Sequence, residues 1–213
     1  FTGHYGLLYN PDKIKADEVP KTMVSLANPK WKGKGGLPNN LNAYIRWAFV
    51  LGREKVLPPF RATLKNGAIQ GSYPDLLNRY LLGEIWWCPI TSSFMKNAQA
   101  KGMPAAWQSL DFSDVSDFAS IVIKGAAHPN AAKLVALYLA SPEGAKFTLE
   151  EAGAGNLYYA GNYEHDISVQ DQKQGIPEVF NVRKAEILKF YTTQEARQLE
   201  KEVQLILQTG GER

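Results

Sequence analysis

Ser120-Ile121-Val122-Ile123-Lys124-Gly125-Ala126-Ala127-His128-Pro129-Asn130-Ala131-Ala132-Lys133-Leu134 is the stretch whose reading decides the fold. Its opening run, Ile-Val-Ile after a serine, is β-branched and apolar and reads as a short buried strand. Gly125 breaks the run, and Pro129 opens a helix over about Asn130 to Ala140. Ser141-Pro142-Glu143-Gly144 restarts a second helix at once. Ser141 supplies the cap, and Pro142 stands in the first turn, where a missing N–H costs nothing. Strand, tight connection and helix in this order are the unit of an α/β fold.

The same alternation continues outward. Upstream, Gly6 to Asn10 is an extended run ended by the turn Asn10-Pro11-Asp12. Leu37-Pro38-Asn39-Asn40 leads into a helix over Leu41 to Leu51, closed by Gly52, and either asparagine can cap it. Leu41, Tyr44, Ile45, Ala48, Phe49 and Leu51 cover most of its circumference, so the helix is expected to be largely buried. Ser72-Tyr73-Pro74-Asp75 starts the next helix, which ends at Gly83. Ile85 to Pro89 reads as an apolar strand, Thr91-Ser92-Ser93 as a polar loop, and a short helix then runs to Gly102. Downstream, the Gly-, Asn- and Tyr-rich stretch 153–175 reads as irregular. Thr193 to Gln208 carries Leu199, Val203, Ile206 and Leu207 on one stripe of a terminal helix.

Composition removes several classes. Hydrophobic residues are 45% and charged residues 21% of 213, with a net charge of +3. The lysines and arginines are scattered among acids, so nucleic acid is not an expected partner. His4, His128 and His165 have no metal-ligand spacing, and no nucleophile elbow or phosphate-loop signature is present. An enzyme is not expected, nor a cofactor. Cys88, the single cysteine, lies in the apolar run Ile85-Trp86-Trp87-Cys88 and reads as a buried, inert thiol. No run reaches the roughly 20 apolar residues of a membrane-spanning helix.

Ala126 to Leu134 followed by Leu139-Ala140-Ser141-Pro142-Glu143-Gly144-Ala145-Lys146 resembles a pattern of the type 2 periplasmic solute-binding proteins, in their iron-, polyamine- and phosphonate-type cluster. Tyr5-Gly6-Leu7-Leu8-Tyr9-Asn10-Pro11-Asp12-Lys13-Ile14 resembles that family's first crossover strand. Pro20-Lys21-Thr22-Met23, Pro29-Lys30-Trp31-Lys32-Gly33-Lys34-Gly35 and Leu82-Gly83-Glu84 match further stretches in family order. The resemblance implies an α/β fold of two lobes joined by crossover hinge strands, with lobe one incomplete. On that map residues 1–10 are the hinge crossover strand and 11–117 are lobe two. Residues 118–155 are the remaining part of lobe one, and 156–213 return to lobe two. The implied function is an extracytoplasmic, periplasmic receptor of an ABC importer, closing about a small solute and presenting it to a membrane permease. An exposed apolar patch at the incomplete lobe, covered by dimerisation, is a further expectation.

Three helix starts offer amide, hydroxyl and backbone N–H groups to an oxygen-rich ligand: Asn39 and Asn40, Ser72 and Tyr73, and Thr91, Ser92 and Ser93. Plain helix capping is the alternative for each. Tyr5 and Tyr9 flank the expected hinge, one of them pointing into the cleft or packing in the hinge. Ferric members of the family place two adjacent tyrosines after the central strand. Here Ile90-Thr91-Ser92-Ser93-Phe94 holds that place, and the pair Tyr158-Tyr159 lies elsewhere. The expected ligand is therefore a small polar or anionic solute such as a phosphonate, carboxylate or sugar phosphate. A ferric-binding member of the family is the alternative, and so is the ligand-sensing effector domain of a transcription regulator.

Overall fold

The computed structural model describes residues 1–180 and 185–212. In chain order the elements are β1 (Thr2–Tyr9), α1 (Met23–Leu26), β2 (Gly36–Pro38), α2 (Leu41–Leu51), α3 (Arg53–Lys65), β3 (Ile69–Gly71), α4 (Tyr73–Leu81), β4 (Trp87–Thr91) and α5 (Ser92–Ala100). There follow β5 (Ala106–Gln108), β6 (Ser113–Asp117), α6 (Pro129–Leu139), α7 (Pro142–Ala152), α8 (Tyr163–Lys173), β7 (Glu178–Phe180), α9 (Ala185–Phe190) and α10 (Gln194–Gln208).

The organising strand is β1. It pairs antiparallel with β4 along one edge and with β6 and then β5 along the other, and β7 adds to β6 in parallel. Both faces of β1 are covered, which is why Tyr5, Leu7 and Leu8 are apolar without alternation. Their side chains nevertheless alternate between two cores. Tyr5 and Leu7 join Trp47, Phe60, Trp87 and the apolar stripes of α2 and α10, whereas Leu8 joins Leu76, Tyr80, Cys88 and Ile90. Burial pushes the Cys88 thiol well above its ordinary pKa.

A second, parallel pair, β2 and β3, abuts the main sheet through a parallel bridge between Gly35 and Trp87. Gly35 is required there because a methyl group would fall on the Trp87 indole. Trp86 is half-buried against the larger core, and the Lys34 ammonium lies 4.5 Å from its ring centroid.

Several sequence expectations are corrected. Ser120–Ile123 is not a strand: Ile121 is 81% and Ile123 is 73% exposed, with no strand to pair with among the described residues. The strand is Ser113–Asp117, polar in sequence and formed because β1 and β7 flank it. The expected strand Ile85–Pro89 lies two residues later, and Gly6–Asn10 extends back to Thr2. Thr91-Ser92-Ser93 is no loop, since β4 runs straight into α5. Stretch 153–175 is irregular only as far as Asn162, and α8 follows. The helix α3, with Pro58 and Pro59 inside it, was not legible as one.

Residues 118–152 contrast with the rest. Helix α6 has no buried residue, although it carries Leu134, Val135, Leu137 and Tyr138. Only Gly144 and Ala145 of α7 are buried. The C-terminal segment behaves differently, with Leu199, Val203 and Ile206 of α10 packed into the larger core beside α2.

Candidate functional site

Three helices begin side by side at the carboxyl ends of parallel strands. β2 and β3 are aligned Pro38 to Gly71, and the Asn39 N–H donates to Gly71 O at 3.0 Å. The parallel bridge between Gly35 and Trp87 brings Asn39 and Thr91, each four residues further on, to the same end. Such an end gathers the positive poles of the helices that follow. Asn40 Oδ1 caps α2 by accepting from Asn42 N at 3.1 Å, and Ser72 Oγ caps α4 by accepting from Asp75 N at 3.3 Å. At α5 the N-cap is Thr91, and its side chain makes no capping bond.

Tyr73 ties these starts together. Its hydroxyl accepts from Asn40 Nδ2 at 2.8 Å, and its ring lies 6.2 Å from Tyr5 and 5.9 Å from Phe94, centroid to centroid. In the sheet, Tyr5 is directly opposite Thr91 on one side and Asp114 on the other, so all three share a face. Gly3 and Ser116 form the next row on that face. A cavity of about 330 Å³ opens there, lined by Gly3, Thr91, Ser93, Ser116, Phe118 and Thr148 among others.

The electrostatic centre is an ion pair. Arg46 of α2 donates to Asp114 Oδ2 from Nε at 2.9 Å and from Nη2 at 2.5 Å, and Trp47 Nε1 donates to the same oxygen at 3.1 Å. The Asp114 side chain is fully buried and that of Arg46 is 11% exposed. Burial raises the Asp114 carboxyl above its ordinary pKa, although Arg46 works in the opposite direction. Burial also raises the phenols of Tyr5, Tyr73 and Tyr191, all three within the field of Arg46.

The residues expected from sequence divide into three groups. Asn39, Asn40, Ser72, Tyr73, Thr91 and Ser93 stand at the three helix starts. Tyr5 is near them but only 3% exposed, and its hydroxyl donates to Pro89 O at 3.4 Å. Ser92 is turned away, fully buried on the opposite side of the sheet. Tyr9 pairs with Trp87 at the far end of β1, about 13 Å along the strand from the Thr91 row. Arg46, Asp114 and Ser116 were not read as site residues. Arg46 had a signal, being the one charged residue in the helix Leu41–Leu51.

On the other face of β1 lies a second polar group. Glu164, His4 and Ser92 are all fully buried. The His4 N–H is shared between Ser92 Oγ at 3.1 Å and Glu164 Oε2 at 3.0 Å. His4 Nδ1 also meets Glu164 Oε2, and Ser92 Oγ donates to Glu164 Oε1. The serine thus bonds the carboxylate and not the imidazole, which is not the nucleophile-to-base contact of a hydrolase.

No protein-family model matches the chain, and no curated protein sequence matches it. Solved structures do. Iron-bound HitA from Pseudomonas aeruginosa superposes with a TM-score of 0.65 at 18% identity, over 95% of this chain and 67% of that one. The type 2 periplasmic-binding-protein fold is the fold of this chain. A substrate-binding protein of an ABC transporter from Agrobacterium tumefaciens shares that fold with a TM-score of 0.70 at 13% identity, over 97% of this chain and 66% of its own. The Trichodesmium protein IdiA (FutA), in complex with iron and citrate ligands, shares it with a TM-score of 0.61 at 17% identity, over 100% and 69%. The chain therefore spans about two thirds of the length of these three proteins.

Proposed function

We propose that the chain is the larger part of an extracytoplasmic solute-binding receptor of an ABC importer, and that it takes a small polar or anionic solute. The observation that carries this reading is the juxtaposition of three helix N-termini, at Asn40, Ser72 and Thr91, at the carboxyl ends of parallel strands. Converging N–H dipoles favour an anion or an oxygen-rich group. Asn40, Tyr73, Thr91 and Ser93 add neutral donors and acceptors. The likeness in fold to substrate-binding proteins of importers adds to it.

In this reading β1, β6 and the passage through Gly155 are the hinge, and residues 118–155 are the part of lobe one within the sequence. The exposed apolar side chains of α6 support a lobe whose core is completed by further chain. The solute is held between the lobes, and contacts to both favour the closed state. The permease is the partner that reads that state.

Ferric ion is the second reading. Its support is the gathering of Tyr5, Tyr73 and Tyr191 about Arg46, because phenolate oxygens are hard donors. Burial works against it by holding these phenols protonated.

A thermal-shift screen separates the two, using inorganic phosphate, a phosphonate, a sugar phosphate, citrate and ferric citrate. A ligand at a hundredfold its Kd stabilises the native state by about 2.7 kcal/mol. A rise of the unfolding midpoint with a phosphate, phosphonate or carboxylate supports the first reading. A rise with ferric citrate alone, together with visible phenolate-to-iron absorption, supports the second. No rise with any of them would count against both.

A further inference from the structure

The fully buried trio Glu164, His4 and Ser92 lies directly behind the proposed cleft, and each clamped residue is flanked by residues that face it. Gly3 and Tyr5 flank His4 on β1, and Thr91 and Ser93 flank Ser92 at the start of α5. Gly3, Thr91 and Ser93 line the cavity, and Tyr5 packs beside Tyr73. On β1 the alternation of side chains in an extended strand explains the pairing: His4 is gripped at the back and its neighbours stand at the front. Glu164 is the shared grip. Its Oε2 meets both His4 N and His4 Nδ1, and its Oε1 accepts from Ser92 Oγ.

Glu164 is itself fixed in place. It stands in the first turn of α8, where the helix dipole favours a carboxylate, and its N–H donates to the Asn162 cap at 3.1 Å. Asn162 Oδ1 also accepts from Asn156 N at 3.0 Å. The same passage is stitched to β1 by Thr2 N to Gly155 O at 3.0 Å and by Leu157 N to Thr2 Oγ1 at 2.8 Å. One carboxylate thus joins three segments far apart in sequence: β1, the start of α5 and the start of α8.

From this we infer that Glu164 is the positioning residue of the cleft, setting the register between β1 and the first turn of α5 and hence where Thr91 and Ser93 stand. The inference rests on the cleft assignment proposed above. It also fixes a tautomer. A carboxylate can only accept, so His4 Nδ1 carries the proton. Nε2 is buried with no partner among the described residues, and an N–H there would lack an acceptor.

The test is by NMR on the wild-type chain and the Glu164→Gln and Ser92→Ala variants, with no ligand added. The wild-type imidazole ¹⁵N shifts of His4 are expected to report Nδ1–H. Glu164→Gln should abolish that single-tautomer signature and displace the amide resonances of Gly3, Tyr5, Thr91 and Ser93 together. Ser92→Ala removes one arm only, so it should displace Thr91 and Ser93 while His4 keeps its tautomer, and it serves if the glutamine variant does not fold. Folded variants in which the Thr91 and Ser93 amides stay in place would overturn the inference. A wild-type His4 in the Nε2–H form would do so too. Neither outcome depends on finding a solute, so a failed ligand screen leaves this result distinct.

Discussion

Arg46 Nε lies 2.9 Å from Asp114 Oδ2, and this contact ties the helix that opens at Asn40 to strand β6 at the residue directly opposite Tyr5. The pair is nearly dry, with Arg46 11% exposed and Asp114 not at all. Removing one member of such a pair costs about 3–5 kcal/mol, because the other charge stays buried without compensation. Arg46→Met is expected to destabilise the chain by about that amount in urea denaturation, and adding Asp114→Leu to it should restore most of the loss. Equal, additive losses from both substitutions would mean that the pair is not coupled.

Asp114 also predicts a pH dependence. Burial holds its carboxyl above the ordinary value of 3.8 even with Arg46 adjacent. A carboxyl raised on folding contributes stability while it is protonated. That contribution is complete below the unfolded pKa and is lost as pH rises through the folded one. The stability attributable to Asp114 therefore declines from below 3.8 upward through its raised pKa. Asp114→Asn should remove that part of the decline, read as urea midpoints of both proteins across the window. Identical pH profiles would contradict it.

Cys88 gives a simple check of the smaller core. It is fully buried, and burial suppresses its thiolate. Iodoacetamide should leave the native protein unmodified and alkylate it completely in denaturant. Rapid native alkylation would mean that the sheet opens at β4.

Helix α6 offers a contrast between two chain lengths. Leu137 is 69% exposed, so Leu137→Asp in this chain should change stability by no more than about 0.5 kcal/mol. In a longer chain whose added residues complete lobe one, the same substitution should cost several times more, since it would bury a charge. Equal effects in both would argue that α6 is a surface helix in its own right.

Much of this was legible from local chemistry. The capped starts at Asn40, Ser72 and Ser141 are observed, and each cap makes its bond. The failures share a cause. β6 reads Ser-Asp-Val-Ser-Asp and is a strand only because β1 and β7 flank it, with Asp114 satisfied from α2. Helix α8 buries Glu164, Ser168 and Asp171 beside Ile167, so its inward face carries no apolar period. In α3, Pro58 and Pro59 mask a helix that buries Val56, Leu57, Phe60 and Leu64. Ile121 and Ile123 mislead the other way, apolar in pattern yet exposed. At the site, the helix starts were readable from capping residues, whereas Arg46 with Asp114 and Glu164 with His4 are long-range pairs. Their partners are 68 and 160 residues apart, beyond any local signal.

The central claim is that the three helix N-termini form one solute site. The most direct measurement is the amide NMR spectrum of this chain titrated with the panel of phosphate, phosphonate, sugar phosphate, citrate and ferric citrate. The predicted result is that a panel member moves the amides of Asn39 to Asn42, Tyr73 and Thr91 to Phe94 as one group with a single affinity. Perturbations centred elsewhere would contradict it.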